Sequence, residues 1–174
     1  MNKFIYIISY LSLISLSIKA QTNNSFENSF NNYCKCEHVF NNNDSSSREK
    51  GGGIVLKTGY EMSIIERTII KGSCWDFVNE VYNRSGFSNS MKTIFRSKKR
   101  GPFASLNMLN PGDWIYHINH NLHNIEHSAI FVCWKDFSKK IAITLSYSGM
   151  NRNTPAHFGE YKLDKIYSIF RPKM

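Results

Sequence analysis

Over residues 72–86 the chain reads Gly-Ser-Cys-Trp-Asp-Phe-Val-Asn-Glu-Val-Tyr-Asn-Arg-Ser-Gly, and Phe77, Val78, Val81 and Tyr82 recur at the spacing of one helical face. Asp76, Asn79, Glu80, Asn83 and Arg84 take the other side, and Gly86 supplies a stop. Ser73 with Asp76 three residues on is a capping-box pattern, which makes Ser73 the N-cap and Cys74 the first helical residue. Upstream, Met62, Ile65, Ile69 and Ile70 predict another helix over 60–70.

Beyond residue 110 the period shortens to two. Asn-Pro-Gly-Asp at 110–113 is a turn, and strands are expected over 114–118, 128–134 and 141–148, joined by a polar loop at 119–126 and a hairpin at 135–140. A last strand over 166–171 is stopped by Pro172. Helices first and antiparallel strands second predict an α+β domain with the Cys74 helix packed on the sheet. Pairing Trp134 with Ile141 sets His127 opposite Ser148 and Ala129 opposite Ser146. His127, Ala129, Phe131 and Cys133 then share a face with Ala142, Thr144, Ser146 and Ser148, a face small enough to let a helix approach closely.

The ends of the chain read differently. An apolar, serine-dotted run over 4–18 between Lys3 and Lys19 has the form of a secretory signal peptide (1–20), too short for a membrane span, so stable membrane insertion after cleavage is not expected. Residues 21–53 are rich in Asn and Ser and end in three glycines, which predicts a flexible leader before a single domain over 54–174. A secreted or periplasmic product follows. With 41% hydrophobic residues in 174, disordered, collagen-like and multi-span membrane classes are excluded. The formal charge of +9 suits a polyanionic partner, with the densest run at 96–100, but no nucleic-acid-binding signature is present.

Cys74 is the residue with the most chemical promise. A thiol in the first turn of a helix feels the positive end of the helix dipole, which favours the thiolate. His127 stands at the head of a buried strand and is the candidate base. Cys133 is six residues further along, about 20 Å at ~3.3 Å per residue, and reads as core. Cys34, Cys36 and His38, and the series His117, His120, His123 and His127, form the alternative of a metal-binding module. Neither set has the paired spacing of a structural zinc site, so no metal and no cofactor is assigned. Cys34 and Cys36 are also disulfide candidates.

Gly-Ser-Cys-Trp-Asp-Phe-Val at 72–78, Asn-Pro-Gly-Asp-Trp at 110–114 and Glu-His-Ser-Ala-Ile-Phe-Val at 126–132, in that order, resemble the papain-like cell-wall peptidases of the NlpC type and their CHAP amidase relatives. The resemblance spans roughly 60–150. It implies a papain-like fold, a cysteine nucleophile at Cys74, a histidine base at His127, and a polar orienting residue on the next strand. Strand parity puts that residue at Ser146 or Ser148, and motif alignment at Tyr147. The family more often carries His, Asn, Gln or Glu there, so this chain departs from the pattern. The implied substrate is peptidoglycan, cut in its stem peptide or at the glycan-to-peptide amide, with a proteinaceous inhibitor as a further partner in a toxin-like role. Tyr60, Trp75 and Trp114 are candidates to line the cleft, and Arg152 to clamp a substrate carboxylate. A non-catalytic module that binds wall peptides stands as the alternative.

Overall fold

The computed structural model describes residues 21, 24–28, 47–120, 123–147 and 153–174. Two units are distinguished, Met1–Tyr33, in which 24–28 are helical, and Cys34–Met174. The expected signal peptide, Cys34, Cys36, His38, Ser148 and Arg152 lie outside the described residues.

In the second unit, helix α1 (Ser47–Tyr60) runs into a π-helical turn (Glu61–Ile65) and is followed by α2 (Cys74–Arg84). Strands β1 (Met91–Arg96), β2 (Trp114–Asn119), β3 (Ile125–Asp136), β4 (Ile141–Ser146), β5 (His157–Lys162) and β6 (Ile166–Pro172) follow, with a 3-10 turn (Leu106–Met108) between β1 and β2. The strands pair antiparallel in the order β1-β6-β2-β3-β4-β5. The chain is thus α+β. The helix expected over 60–70 is displaced toward the N-terminus, because Ile65 and Ile69 are exposed and Ser63 donates back to the Gly59 carbonyl at 2.6 Å where the helix widens.

The glycine run at 51–53 is inside α1, not in a flexible leader. Its lack of side chains lets the helix sit against the 110–113 turn: a Cβ at Gly52 would lie 2.1 Å from the Pro111 carbonyl oxygen. Gly→Ala inside a helix normally stabilises by about 1 kcal/mol. Here the sign reverses, and Gly52→Ala is expected to lower the unfolding free energy by about 2 kcal/mol or more through overpacking. Urea denaturation midpoints decide it, since an unchanged or raised midpoint would mean that α1 does not seat on this turn.

Register explains the rest. In β2–β3, Trp114, Ile115, Tyr116 and His117 face Ile130, Ala129, Ser128 and His127 in turn. In β3–β4, Trp134 pairs with Ala142 rather than Ile141, and two bulges shift the register before Phe131↔Thr144 and Ile130↔Leu145. The site end therefore keeps the register assumed above, whereas Cys133, opposite Ile143, moves to the other face and Trp134 joins Phe131 at 5.4 Å between rings.

The helices cover the face of Trp114, Ile130 and Leu145: Tyr82 lies 5.3 Å from Trp114, and Gly59 abuts Leu145 and Ile130. This corrects the expectation that α2 packs on the His127 face. The helix stripe Phe77, Val78, Val81 and Tyr82, fully buried, needs large apolar partners, which strand parity supplies on the Ile130 side. The opposite face, with Ile115, Ala129, Phe131, Ala142, Tyr161, Ile166 and Ile169, is closed by Ala104, Leu109 and Leu163.

Candidate active site

Cys74 opens α2 as the capping box requires. The Ser73 hydroxyl accepts the Asp76 amide at 3.4 Å, and the Asp76 carboxylate accepts the Ser73 amide and hydroxyl. The half-buried thiol is free, and its Sγ accepts the backbone N–H of Ser128 at 3.4 Å. Cys133, by contrast, is buried and disulfide-bonded.

Ser128 is the residue after His127, so α2 delivers the thiol to the strand segment that carries the imidazole. The thiol's hydrogen-bond partner is this amide, not the ring. All three polar groups of Ser128 are engaged: the amide with Cys74, the hydroxyl with the Trp114 indole N–H at 2.6 Å, and the carbonyl with the Ser146 hydroxyl at 2.6 Å. Nothing in the sequence pattern had singled out Ser128.

His127 is 3% exposed. Its ring stacks on Tyr161, with centroids 5.3 Å apart and planes 23° from parallel, and stands edge-on to His117 at 5.3 Å and 89°. Gly159 makes room for the first contact, since a Cβ there would come within 2.8 Å of the Tyr161 ring. Burial pushes the Tyr161 hydroxyl above its usual range and negative charge at Cys74 adds to the shift, so Tyr161 touches the imidazole and feels the thiol. Burial also raises Tyr116, with a hydrogen bond to Trp75 opposing the shift and Cys74 adding to it, while burial and Glu126 act ahead of Cys74 on Tyr167.

Desolvation lowers the His127 pKa to about 4. His117 is lowered to about 3, by desolvation first and then by the charge of His127. Both rings are neutral at pH 7, and the Nε2 of each lacks a hydrogen-bond partner among the described residues.

Of the residues considered for orienting His127, Ser146 and Tyr147 are occupied elsewhere, and Ser148 lies outside the described residues. Ser146 is bound to the Ser128 carbonyl. The Tyr147 hydroxyl accepts the Ile70 amide at 2.6 Å and donates to the Ile70 carbonyl at 3.0 Å, while its ring packs 5.5 Å from Phe77. Tyr147 thereby ties the segment leading to Cys74 onto the end of β4. Of the expected cleft aromatics, Trp75 is exposed beside the thiol and lies 5.7 Å from Trp114. Trp114 is buried beneath it, and Tyr60 is buried with its ring 6.4 Å from Phe158, away from solvent.

The histidine series separates in space. His117 and His127 are buried together, whereas His120 bonds Asp164 at 2.6 Å and Asn124 at 2.7 Å, and His123 sits in the β2–β3 turn at φ 51°. Among the described residues no group of three or more His, Cys, Asp or Glu is arranged to hold a metal ion, and no helix is long and apolar enough to cross a membrane. Among protein-family models, curated proteins and solved structures, none matches this chain.

Proposed function

We propose that this chain is an exported cysteine hydrolase of the papain-like NlpC/CHAP type that cleaves an amide bond in peptidoglycan. The observation that carries the reading is the free Cys74 thiol in the first turn of a capped helix, resting on the amide next to His127. The disulfide at Cys133 accords with an oxidising compartment outside the cytoplasm.

His127 starts neutral. His127 takes the thiol proton as Sγ attacks the carbonyl carbon, forming the C–S bond while amides at the start of α2 stabilise the oxyanion. Collapse breaks the C–N bond, the imidazolium gives its proton to the leaving amine, and water hydrolyses the thioester. A second reading, a wall-peptide-binding module without turnover, draws on one observation: the hydroxyls of Ser146 and Tyr147 are both committed away from the imidazole.

Digestion of peptidoglycan fragments separates them. The chain from Gln21 onward is expected to release new peptides, resolved by mass, that Cys74→Ala and His127→Ala do not, with no effect of a chelator. Because His127 stays unprotonated down to about pH 4, the acid limb of kcat/KM is expected near pH 4 rather than near the free-histidine value of about 6.5. Equal silence of parent and variants across several wall chemotypes selects the binding module. Chelator-sensitive release that survives Cys74→Ala overturns the thiol mechanism.

A further inference from the structure

Among the described residues three buried polar atoms on the His127 face lack partners, the Thr144 hydroxyl on β4 and one nitrogen in each of two neighbouring rings. His117 on β2 lies directly across from His127 on β3, and their Nε2 atoms are both buried and unpaired among the described residues. His117 Nδ1 contacts the Ile118 carbonyl oxygen at 3.3 Å. A carbonyl only accepts, so Nδ1 carries the proton and Nε2 of His117 is left as a bare acceptor. A buried acceptor and a buried ring nitrogen left unpaired each cost free energy, and one arrangement relieves both: a proton on His127 Nε2 shared with His117 Nε2 through one buried water.

We propose that His117 is the positioning residue for His127, holding it in the Nε2–H tautomer so that Nδ1 is the nitrogen free to take the Cys74 proton. The assignment rests on the hydrolase reading for its consequence in catalysis, and on the paired ring nitrogens for its chemistry. It places the orienting group on the strand before His127, opposite to where Ser146, Tyr147 and Ser148 were considered. When His127 becomes an imidazolium, its Nε2–H faces a neutral acceptor instead of apolar side chains, so the charge is stabilised at the moment it forms. The neutrality of His117 follows from full burial. The other groups that reach this pair are Tyr161 on β5, stacked on His127, and His120 and Asp164, which bond each other.

Imidazole 15N shifts of the labelled protein at pH 7 test this without any substrate. His127 is expected as the Nε2–H tautomer in the wild type, as a mixture in His117→Phe, and restored in His117→Gln, whose amide oxygen accepts in place of Nε2. A wild-type His127 that carries its proton on Nδ1, or a tautomer unchanged by His117→Phe, overturns the assignment. Should neither variant fold, the wild-type tautomer alone decides. On a cleaved substrate, His117→Phe is expected to lower kcat by about tenfold to hundredfold with KM unchanged, and His117→Gln to recover most of it. If no wall fragment is turned over by any protein, the hydrolase reading falls while the ring shifts still judge the pairing.

Discussion

Arg171→Met is expected to lower the unfolding free energy by about 3–5 kcal/mol, the range for removing one partner of a buried ion pair. Asp113, in the turn before β2, is fully buried, and both its oxygens accept from Arg171 on β6, at 2.7 and 2.8 Å. The Asn110 amide adds a third bond at 2.8 Å, and the guanidinium also donates to the Met108 carbonyl at 2.7 Å. Burial raises the Asp113 pKa, and Arg171 opposes that shift. With Arg171 gone, the carboxylate remains in place without its counter-charge. The pair Asp113→Asn with Arg171→Met is expected to cost clearly less than the sum of the single changes. Urea unfolding at pH 7 reads all three proteins. In Arg171→Met part of the loss is regained on acidification, as Asp113 takes up a proton. A single-variant cost under about 1 kcal/mol, with no coupling, would show that the turn is held by other contacts.

Acidification of the wild-type protein is expected to remove stability steeply. His117 and His127 are depressed in the fold to about 3 and about 4, whereas in the unfolded chain each titrates near 6.5. Below about pH 6.5 the unfolded chain therefore binds protons that the folded one does not, and unfolding gains. The stabilisation is full above that pH and is lost as pH falls toward the folded values. The slope approaches about 1.4 kcal/mol per pH unit for each histidine below pH 6.5, so both together remove about 3 kcal/mol between pH 6.5 and 5. His117→Gln is expected to halve the slope, because one of the two protons is no longer counted. Unfolding free energies at pH 7, 6 and 5 give the comparison directly, and a flat profile in the wild type would mean that the rings are hydrated and not buried.

These two devices were unequally legible in the sequence. The Asn-Pro-Gly-Asp turn was recognisable at 110–113, but its ion partner is 58 residues away on β6, and no local pattern names it. His127 reads as the base from the sequence, but His117 stands there only as a member of a histidine series. The signal that would have paired them was the hairpin itself, since continuing β2 and β3 outward from a turn at 120–124 sets 117 against 127. The edge strands β1 and β5 went unread because much of their length is only partly buried, so hydrophobic alternation, the usual sign of a strand, is weak there.

What the sequence determined by itself was local. Helical spacing and a capping box within four residues place Cys74 at the first turn of α2, and turn residues with period-two alternation place β2, β3, β4 and β6. Interactions of this range depend only on neighbours in the chain. Tertiary structure decided which face of the sheet met which helix, and so left His127 across from His117 and brought Cys74 to the amide of Ser128. It also decided that three glycines would be a helix and not a linker, because the proximity of the Pro111 turn outweighs their intrinsic preference. The bulge in β3 between Phe131 and Cys133 exchanged the faces of Cys133 and Trp134, for a strand's sidedness reverses with an inserted residue, and only the packed sheet settles where that insertion falls.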